Sequence, residues 1–195
     1  GNNTNVIEHI IRRCKLYDIE PIICTSSDPS DDILIDIAIK EGIKYFRGSL
    51  INKLKRWADC CTEYGIDSFH SVDADDPFFD GELMKVSMRL LSDGYDVVCP
   101  TESSSAGAAS VGYSLTFDIV YRAVQQTDEN TDTEMMWFYL DKIPGIKKTA
   151  LPESKNNSFK VRLTLDYEED YWLLRSVLRI AGHLANREEI NSLFK

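Results

Sequence analysis

Asp75 and Asp166 are the residues in this chain best suited to chemistry. Asp75 lies in Ser71-Val72-Asp73-Ala74-Asp75-Asp76-Pro77, just beyond an apolar stretch that reads as a strand. Asp166 ends a second such stretch, Val161-Arg162-Leu163-Thr164-Leu165-Asp166, and Tyr167-Glu168-Glu169-Asp170 then opens a helix. Carboxylates at the C-terminal tips of two strands can hold Mg²⁺ against a nucleotide's phosphates, because this cation takes one or two protein carboxylates and leaves its other positions to substrate and water. Ligands of open α/β sheets also bind outside the carboxyl ends of strands. The competing reading is that each aspartate caps a helix, a position the residue favours.

Other residues extend or limit this picture. Asp73, Asp75 and Asp76 crowd three acids into four positions, which is costly unless a cation or hydrogen-bond donors compensate. Pro77 keeps a helix from starting through them. Phe46-Arg47-Gly48-Ser49 places a cation and a glycine immediately after a short strand. Arg47 could pair a phosphate or a sugar carboxylate and Gly48 could admit a ligand close to backbone. The same four residues also read as an ordinary strand-to-helix turn capped by Ser49. His9, His70 and His183 have no metal-ligand spacing and fit packing or surface roles, with His70 the one worth testing because it precedes the acidic turn. Met135-Met136-Trp137-Phe138-Tyr139-Leu140 is too continuous for one amphipathic face and reads as core or as an association surface. No G-x-G-x-x-G or Walker-type loop is present.

The elements that must position these residues alternate. Helical spacing covers residues 4–16, followed by a strand at 21–26, a helix to about 41 stopped by Gly42, and a strand at 43–46. A helix whose face includes Leu50, Ile51, Leu54, Trp57, Ala58 and Cys61 closes at Gly65. Residues 66–72 read as a strand, 80–92 as a helix and 95–99 as a strand. This order predicts an α/β fold with a largely parallel sheet and helices on both faces. Residues 101–112 are rich in Ser, Ala and Gly and suit a loop that acts as a substrate lid. Beyond it, 113–117, 146–150 and 159–165 read as strands, and 118–126, 133–140, 166–181 and 187–194 as helices.

The 195 residues suit one domain, and 43% hydrophobic content is enough for a core. Thirty-two acids against 22 Lys and Arg give a net charge of -10, which disfavours nucleic acid and anionic membrane as partners. Five cysteines without paired C-x-x-C spacing argue against a disulfide framework or a zinc site and for a reducing cytoplasm. No run is long enough to span a membrane, and there is no apolar signal-peptide core.

Five segments, in order, resemble the cytidylyltransferase family that activates sugar acids: the CMP-KDO and CMP-acylneuraminate synthetases and, nearest, the spore-coat polysaccharide branch. They are Val6-Ile7-Glu8-His9-Ile10-Ile11, Ile22-Ile23-Cys24-Thr25 with Ser27-Asp28-Pro29-Ser30-Asp31-Asp32, Phe46-Arg47-Gly48-Ser49, Ala74-Asp75-Asp76-Pro77, and Arg162-Leu163-Thr164-Leu165-Asp166-Tyr167-Glu168-Glu169-Asp170. The resemblance implies a Rossmann-like nucleotide-diphosphosugar-transferase fold, with a small substrate and dimerisation lobe at about 100–158. It implies attack by a sugar-acid hydroxyl on the α-phosphate of CTP, in surface polysaccharide precursor synthesis by a cytoplasmic homodimer. It places Mg²⁺ on Asp75 and Asp166, and substrate on Arg47, Gly48, Asp76, Gly112, Glu134 and Arg162.

Three departures accompany it. The family begins with a strand and a Leu-Pro-Gly-Lys-type loop, whereas this chain aligns from after both. The strand is central in that architecture, so either it lies upstream of these 195 residues or the fold is rewired. The family's Gly-x-Asp element stands here as Gly112-Tyr113-Ser114, and its Glu-His pair as Glu134-Met135. These departures leave two other readings: a non-catalytic relative that binds nucleotide or sugar or serves as a dimerisation scaffold, and a nucleotidyltransferase using another base or a sugar 1-phosphate.

Overall fold

The computed structural model describes residues 4–102, 104, 111–153 and 161–195. Most of the expected lid, and residues 159–160 of an expected strand, lie outside them. The described elements run α1 (Val6–Leu16), β1 (Ile22–Ser26), α2 (Asp32–Glu41), β2 (Lys44–Gly48), α3 (Lys53–Tyr64), β3 (Ser68–Ser71), α4 (Gly81–Ser92), β4 (Val97–Cys99), β5 (Tyr113–Thr116), α5 (Phe117–Val124), α6 (Trp137–Leu140), β6 (Lys148–Ala150), α7 (Glu168–Ala181) and α8 (Arg187–Ser192).

Local chemistry sets the boundaries. Asn5 caps α1 in a reciprocal box with Glu8. The Asn52 side chain accepts from Lys55 N–H at 2.9 Å and opens α3, so Leu50 and Ile51 precede the helix and are exposed instead of joining its apolar face. Gly65 ends α3 at φ 64°, a left-handed turn that a side chain would strain.

The strands form two sheets. β1 and β2 pair in parallel, and the second sheet has the order β3-β5-β4-β6. β5 runs antiparallel to both neighbours while β4 and β6 are parallel, so this second sheet is mixed, with one of its three pairings parallel, where the sequence pattern predicts a largely parallel sheet. Among the described strands β1 pairs only with β2, and β3 only with β5, leaving one edge of each without a ladder. Helix α3 lies against both sheets: it packs on β1 and β2, and its Trp57 ring meets Phe69 of β3 at 5.4 Å.

Alternation along the strands covers both faces. Val97 of β4 and Leu115 of β5 face α3 and α5 with Leu54, Ala58, Ile119, Val120 and Ala123, while Val98 faces α4 and packs with Leu91, Val111 and Leu151. Leu54, Leu115 and Leu140 are fully buried, each contributing roughly 1.5–3 kcal/mol. A separate core joins α7 and α8 to Phe78 and Leu163. Residues 161–166 form no ladder: Val161, Leu163 and Leu165 pack into this core with the alternation of a strand but without a partner strand. No helix among the described residues is long and apolar enough to cross a membrane.

Candidate active site

The acidic turn follows β3 directly and is braced from three sides. His9 of α1, through Nε2–H, donates to the Pro77 carbonyl at 3.0 Å. The fully buried Arg13 guanidinium donates to the carbonyls of Phe79 and Ala185, both at 2.7 Å, and also to that of His183. Asp80 caps α4, accepting from Glu82 and Leu83 N–H. The cap is therefore Asp80, and Asp75 is left with its carboxylate available. Within the turn, Asp76 N–H donates to Asp73 O at 3.0 Å.

Asp166 reaches the same place from the far end of the chain. Leu165 N–H donates to the Asp75 carbonyl at 2.8 Å, joining the two segments backbone to backbone. Asp166 does not cap α7 either. The buried Asp170 carboxylate accepts from Asp166 N–H and Tyr167 N–H, both at 3.0 Å, and from Arg162 Nε. These donors, led by Asp166 N–H, hold the Asp170 carboxyl below its ordinary range. Arg162 also pairs with the Asp166 carboxylate, so one arginine ties the exposed acid to the buried one that fixes its turn.

The electrostatics fit a hard cation. Burial raises the Asp75 carboxyl, and the Asp73 and Asp166 charges add to the effect. Burial also pushes Asp76 up to about 7, with Asp75, Asp73 and Asp166 contributing. Two buried polar atoms in these segments, Asp76 Oδ1 and Thr164 Oγ1, lack a hydrogen-bond partner, a costly arrangement without a compensating ligand. Among the described residues no three of His, Cys, Asp and Glu converge to cage a metal alone. Two carboxylates with substrate oxygens completing the shell is the donor set that Mg²⁺ takes.

Beside the turn lies a cleft of about 230 Å³, lined by Lys53, Trp57, Ser71, Asp73, Tyr113 and residues 134–137. The Tyr113 and Trp137 rings meet at 5.0 Å on one side, and Lys53 Nζ sits 5.4 Å from the Trp57 ring centroid. Ser71 and Asp73 connect the cleft to the acidic turn, and the Lys53 charge across the gap offsets a small part of the burial-driven rise of the Asp75 carboxyl.

Comparison with known proteins bears on the fold. No family model matches the chain. It is 26% identical over 186 residues to the spore coat polysaccharide biosynthesis protein SpsF of Bacillus subtilis (strain 168), covering 91% of this chain and 76% of that one. It is also 26% identical over 171 residues to an uncharacterized protein of Methanocaldococcus jannaschii, covering 86% of this chain and 68% of that one. A cytidylyltransferase from Leptospira borgpetersenii superposes with a TM-score of 0.83 at 19% identity, over 99% of this chain and 84% of its own. The chain has the cytidylyltransferase fold. CMP:2-keto-3-deoxy-manno-octonic acid synthetase, solved with CTP, shares it at a TM-score of 0.63 and 12% identity, over 89% of this chain and 87% of its own.

Within the cytidylyltransferase fold the residues expected to form the site divide into two sets. Asp75, Asp76, Asp166 and Arg162 come together, and Glu134 lines the adjoining cleft. Gly112 lies under the end of β3, where a Cβ would fall 1.8 Å from Ser71 O. Its N–H donates to His70 Nε2 at 3.1 Å, which leaves Nδ1 to carry the proton toward Ser114 Oγ at 2.7 Å. His70 is thus a neutral structural link, and Ser114 stands on the buried side of β5 with Ser87. Arg47 and Gly48 fall inside β2, not after it. Arg47 binds the carbonyls of Ser26 and Asp28 and pairs with Asp32 at 2.7 Å, clamping the turn after β1. Gly48 makes room for Phe46 and Arg56. The contacts of both lie in the β1–β2 region. Sequence reasoning missed Lys53, Trp57, Tyr113 and Asp170; Asp170 alone carried a signal, as an acid at the third position of a helix whose cap site is Tyr167.

Proposed function

We propose that this protein is a Mg²⁺-dependent cytidylyltransferase that transfers CMP from CTP to a sugar acid, with release of pyrophosphate, in the synthesis of surface polysaccharide precursors. The observation that carries this reading is the Leu165 to Asp75 hydrogen bond, which brings two carboxylate-bearing segments 90 residues apart to one point of the cytidylyltransferase fold. The similarity to SpsF supports the pathway, and the CTP-bound synthetase of the same fold supports the nucleotide.

Asp75 and Asp166 are the residues that would hold Mg²⁺, which neutralises phosphate charge and aligns the attacking and leaving oxygens when bound. The chain's own contribution is position. Arg162, anchored on Asp170, holds the exposed Asp166 carboxylate in place. His9 and Arg13 hold that turn's backbone from beneath. The cleft beside Asp73 receives the acceptor, whose hydroxyl oxygen forms a bond to the α-phosphorus as the bond to the β-phosphate oxygen breaks. The hydroxyl proton is released and pyrophosphate departs. Pre-orientation of this kind removes much of the entropic barrier.

The exposed Met135 and Phe138 are the residues we assign to contact between two copies in a homodimer, and the free thiols fit a reducing cytoplasm. The test is pyrophosphate release from CTP with a panel of sugar acids, with and without Mg²⁺. Metal-dependent release that needs both substrates is the expected result. Turnover unchanged by Asp75→Ala would overturn the assignment.

A further inference from the structure

Lys53 and Glu134 form an unequal pair across the mouth of the cleft. Their charged atoms are 3.0 Å apart, yet the lysine side chain is only 16% exposed and the glutamate 74% exposed. Lys53 is held by its place in the first turn of α3, opened by the buried Asn52 cap, and by the Trp57 face beneath it. Glu134 sits on the segment before α6 and its carboxylate is largely in water already. Turning Glu134 outward costs a solvated carboxylate little, because such exposed contacts are weak. Lys53, by contrast, stays in the cleft and continues to need an anion.

The rest of the lining suits a sugar ring. Trp57, Tyr113 and Trp137 offer apolar faces, and Ser71 and Asp73 offer polar edges. About 230 Å³ lies below the range of roughly 300–1,000 Å³ usual for drug-sized ligands, and fits one monosaccharide rather than a nucleoside triphosphate. Lys53 is the single cation among the described lining residues, against Asp73 and Glu134. An anionic ligand lacking a partner for its charge would be repelled here.

We propose that Lys53 selects the acceptor by its carboxylate, and that Glu134 occupies Lys53 until the acceptor's carboxylate displaces it. The cleft's role as acceptor site rests on the function proposed above; the exchange at Lys53 is a further claim about which residue reads the acid. No covalent step is involved. One carboxylate replaces another on the same ammonium, so the cleft's net charge is kept only by acceptors that bring their own.

Two of the chain's three tryptophans line the cleft, so intrinsic fluorescence reports its occupancy. The probes are 2-keto-3-deoxy-manno-octonic acid, N-acetylneuraminic acid and the methyl ester of each, titrated into the 195-residue protein without CTP so that no transfer occurs, with CTP binding in the presence of Mg²⁺ measured separately by calorimetry. At least one acid is expected to bind at least about tenfold more tightly than its ester, the scale of a charge-assisted hydrogen bond. Lys53→Met should abolish that preference and Lys53→Arg should keep most of it, with circular dichroism confirming the fold. Glu134→Gln, at an exposed position, should tighten acid binding about three- to fivefold by removing the competitor and leave ester binding unchanged. A folded Lys53→Met that still prefers the acid, or a Glu134→Gln that does not tighten it, overturns the proposal. If CTP binds but neither acid does, the Lys53 assignment falls and the nucleotide reading stands; if CTP also fails to bind, that reading falls with it.

Discussion

The Leu165 N–H donates to the Asp75 carbonyl oxygen at 2.8 Å, a backbone bond that ties residues 161–166 to the acidic turn. It fixes where Asp166 sits relative to Asp75, because each carboxylate leaves the chain at or next to the bonded residue. A metal shared by the two side chains therefore depends on backbone geometry more than on rotamer choice.

If so, removing either carboxylate should abolish activity without unfolding the protein. Asp75→Asn and Asp166→Asn are each expected to lower kcat/KM for CTP by about a hundredfold or more. In the metal-free protein Asp75→Asn should leave the melting temperature unchanged or raise it, since it removes a charge from a crowded acidic turn. Steady-state pyrophosphate release and thermal melts, each run with and without Mg²⁺, check both halves.

Asp170 tests the positioning claim separately. It accepts from Asp166 N–H, Tyr167 N–H and Arg162 and is buried. Asp170→Ala should cost about 1 kcal/mol as a lost helix cap, lowering the melting temperature by roughly 2–4 °C for a chain of this size. It should also raise the Mg²⁺ concentration needed for half-maximal activity, because Arg162 and Asp166 lose their anchor. A purely structural Asp170 would shift the melt and leave the metal requirement where it was.

Much of this arrangement could be read from the sequence, and the missing parts have identifiable causes. The helix and strand alternation was legible because apolar periodicity reports burial directly, as with Leu54 and Ala58 on α3 or Val97 and Val98 on opposite faces of β4. The direction of β5 was not, because residues 113–116 have the same pattern whether the strand runs parallel or antiparallel. Val161, Leu163 and Leu165 imitate a strand because they pack on α7 and α8, while a ladder depends on a partner edge that no local pattern encodes. Arg47 invited a ligand role, but its acceptors are carbonyls of residues 26 and 28 brought close by β1–β2 pairing. Lys53 carried no local signal, because its partner lies 81 residues away.

Gly112 gives a prediction about the sheet rather than the ligand. A methyl group there would fall 1.8 Å from the Ser71 carbonyl oxygen, a backbone atom that cannot swing aside. Gly112→Ala should destabilise the protein by about 1–3 kcal/mol and break the contact to His70. Chemical denaturation measures the first effect. The second should appear in NMR as a change in the His70 Nε2 resonance, which now reports an accepted hydrogen bond.

The same two buried histidines give the chain an acid-side pH dependence with a definite sign. Burial pushes His9 down to about 4 and His70 down to about 3, both below the ordinary value of 6.5. For a base depressed in the folded state, unfolding takes up protons, so the stability is fully present above pH 6.5 and is lost as pH falls toward the folded values. Each unit of depression corresponds to about 1.4 kcal/mol, so His9 alone should account for a loss of about 3 kcal/mol by pH 4. The paired carboxylates, such as Glu41 with Arg12 and Asp31 with Ser26 and Thr25, are held below their ordinary range and lose their contribution at still lower pH. Asp76, pushed up to about 7, and Asp75, also raised by burial, contribute with the opposite sign over the same range, because their folded forms take up protons first; the histidine contribution is therefore read as the difference between wild-type and His9→Gln denaturation free energies from pH 7 to 4. His9→Gln keeps a donor for the Pro77 carbonyl but removes the titrating ring, and should lose about 3 kcal/mol less stability than the wild type between pH 7 and 4. An unchanged slope in His9→Gln would mean that the ring is solvated in the native protein, and that the acidic turn is not held from beneath by a buried neutral imidazole.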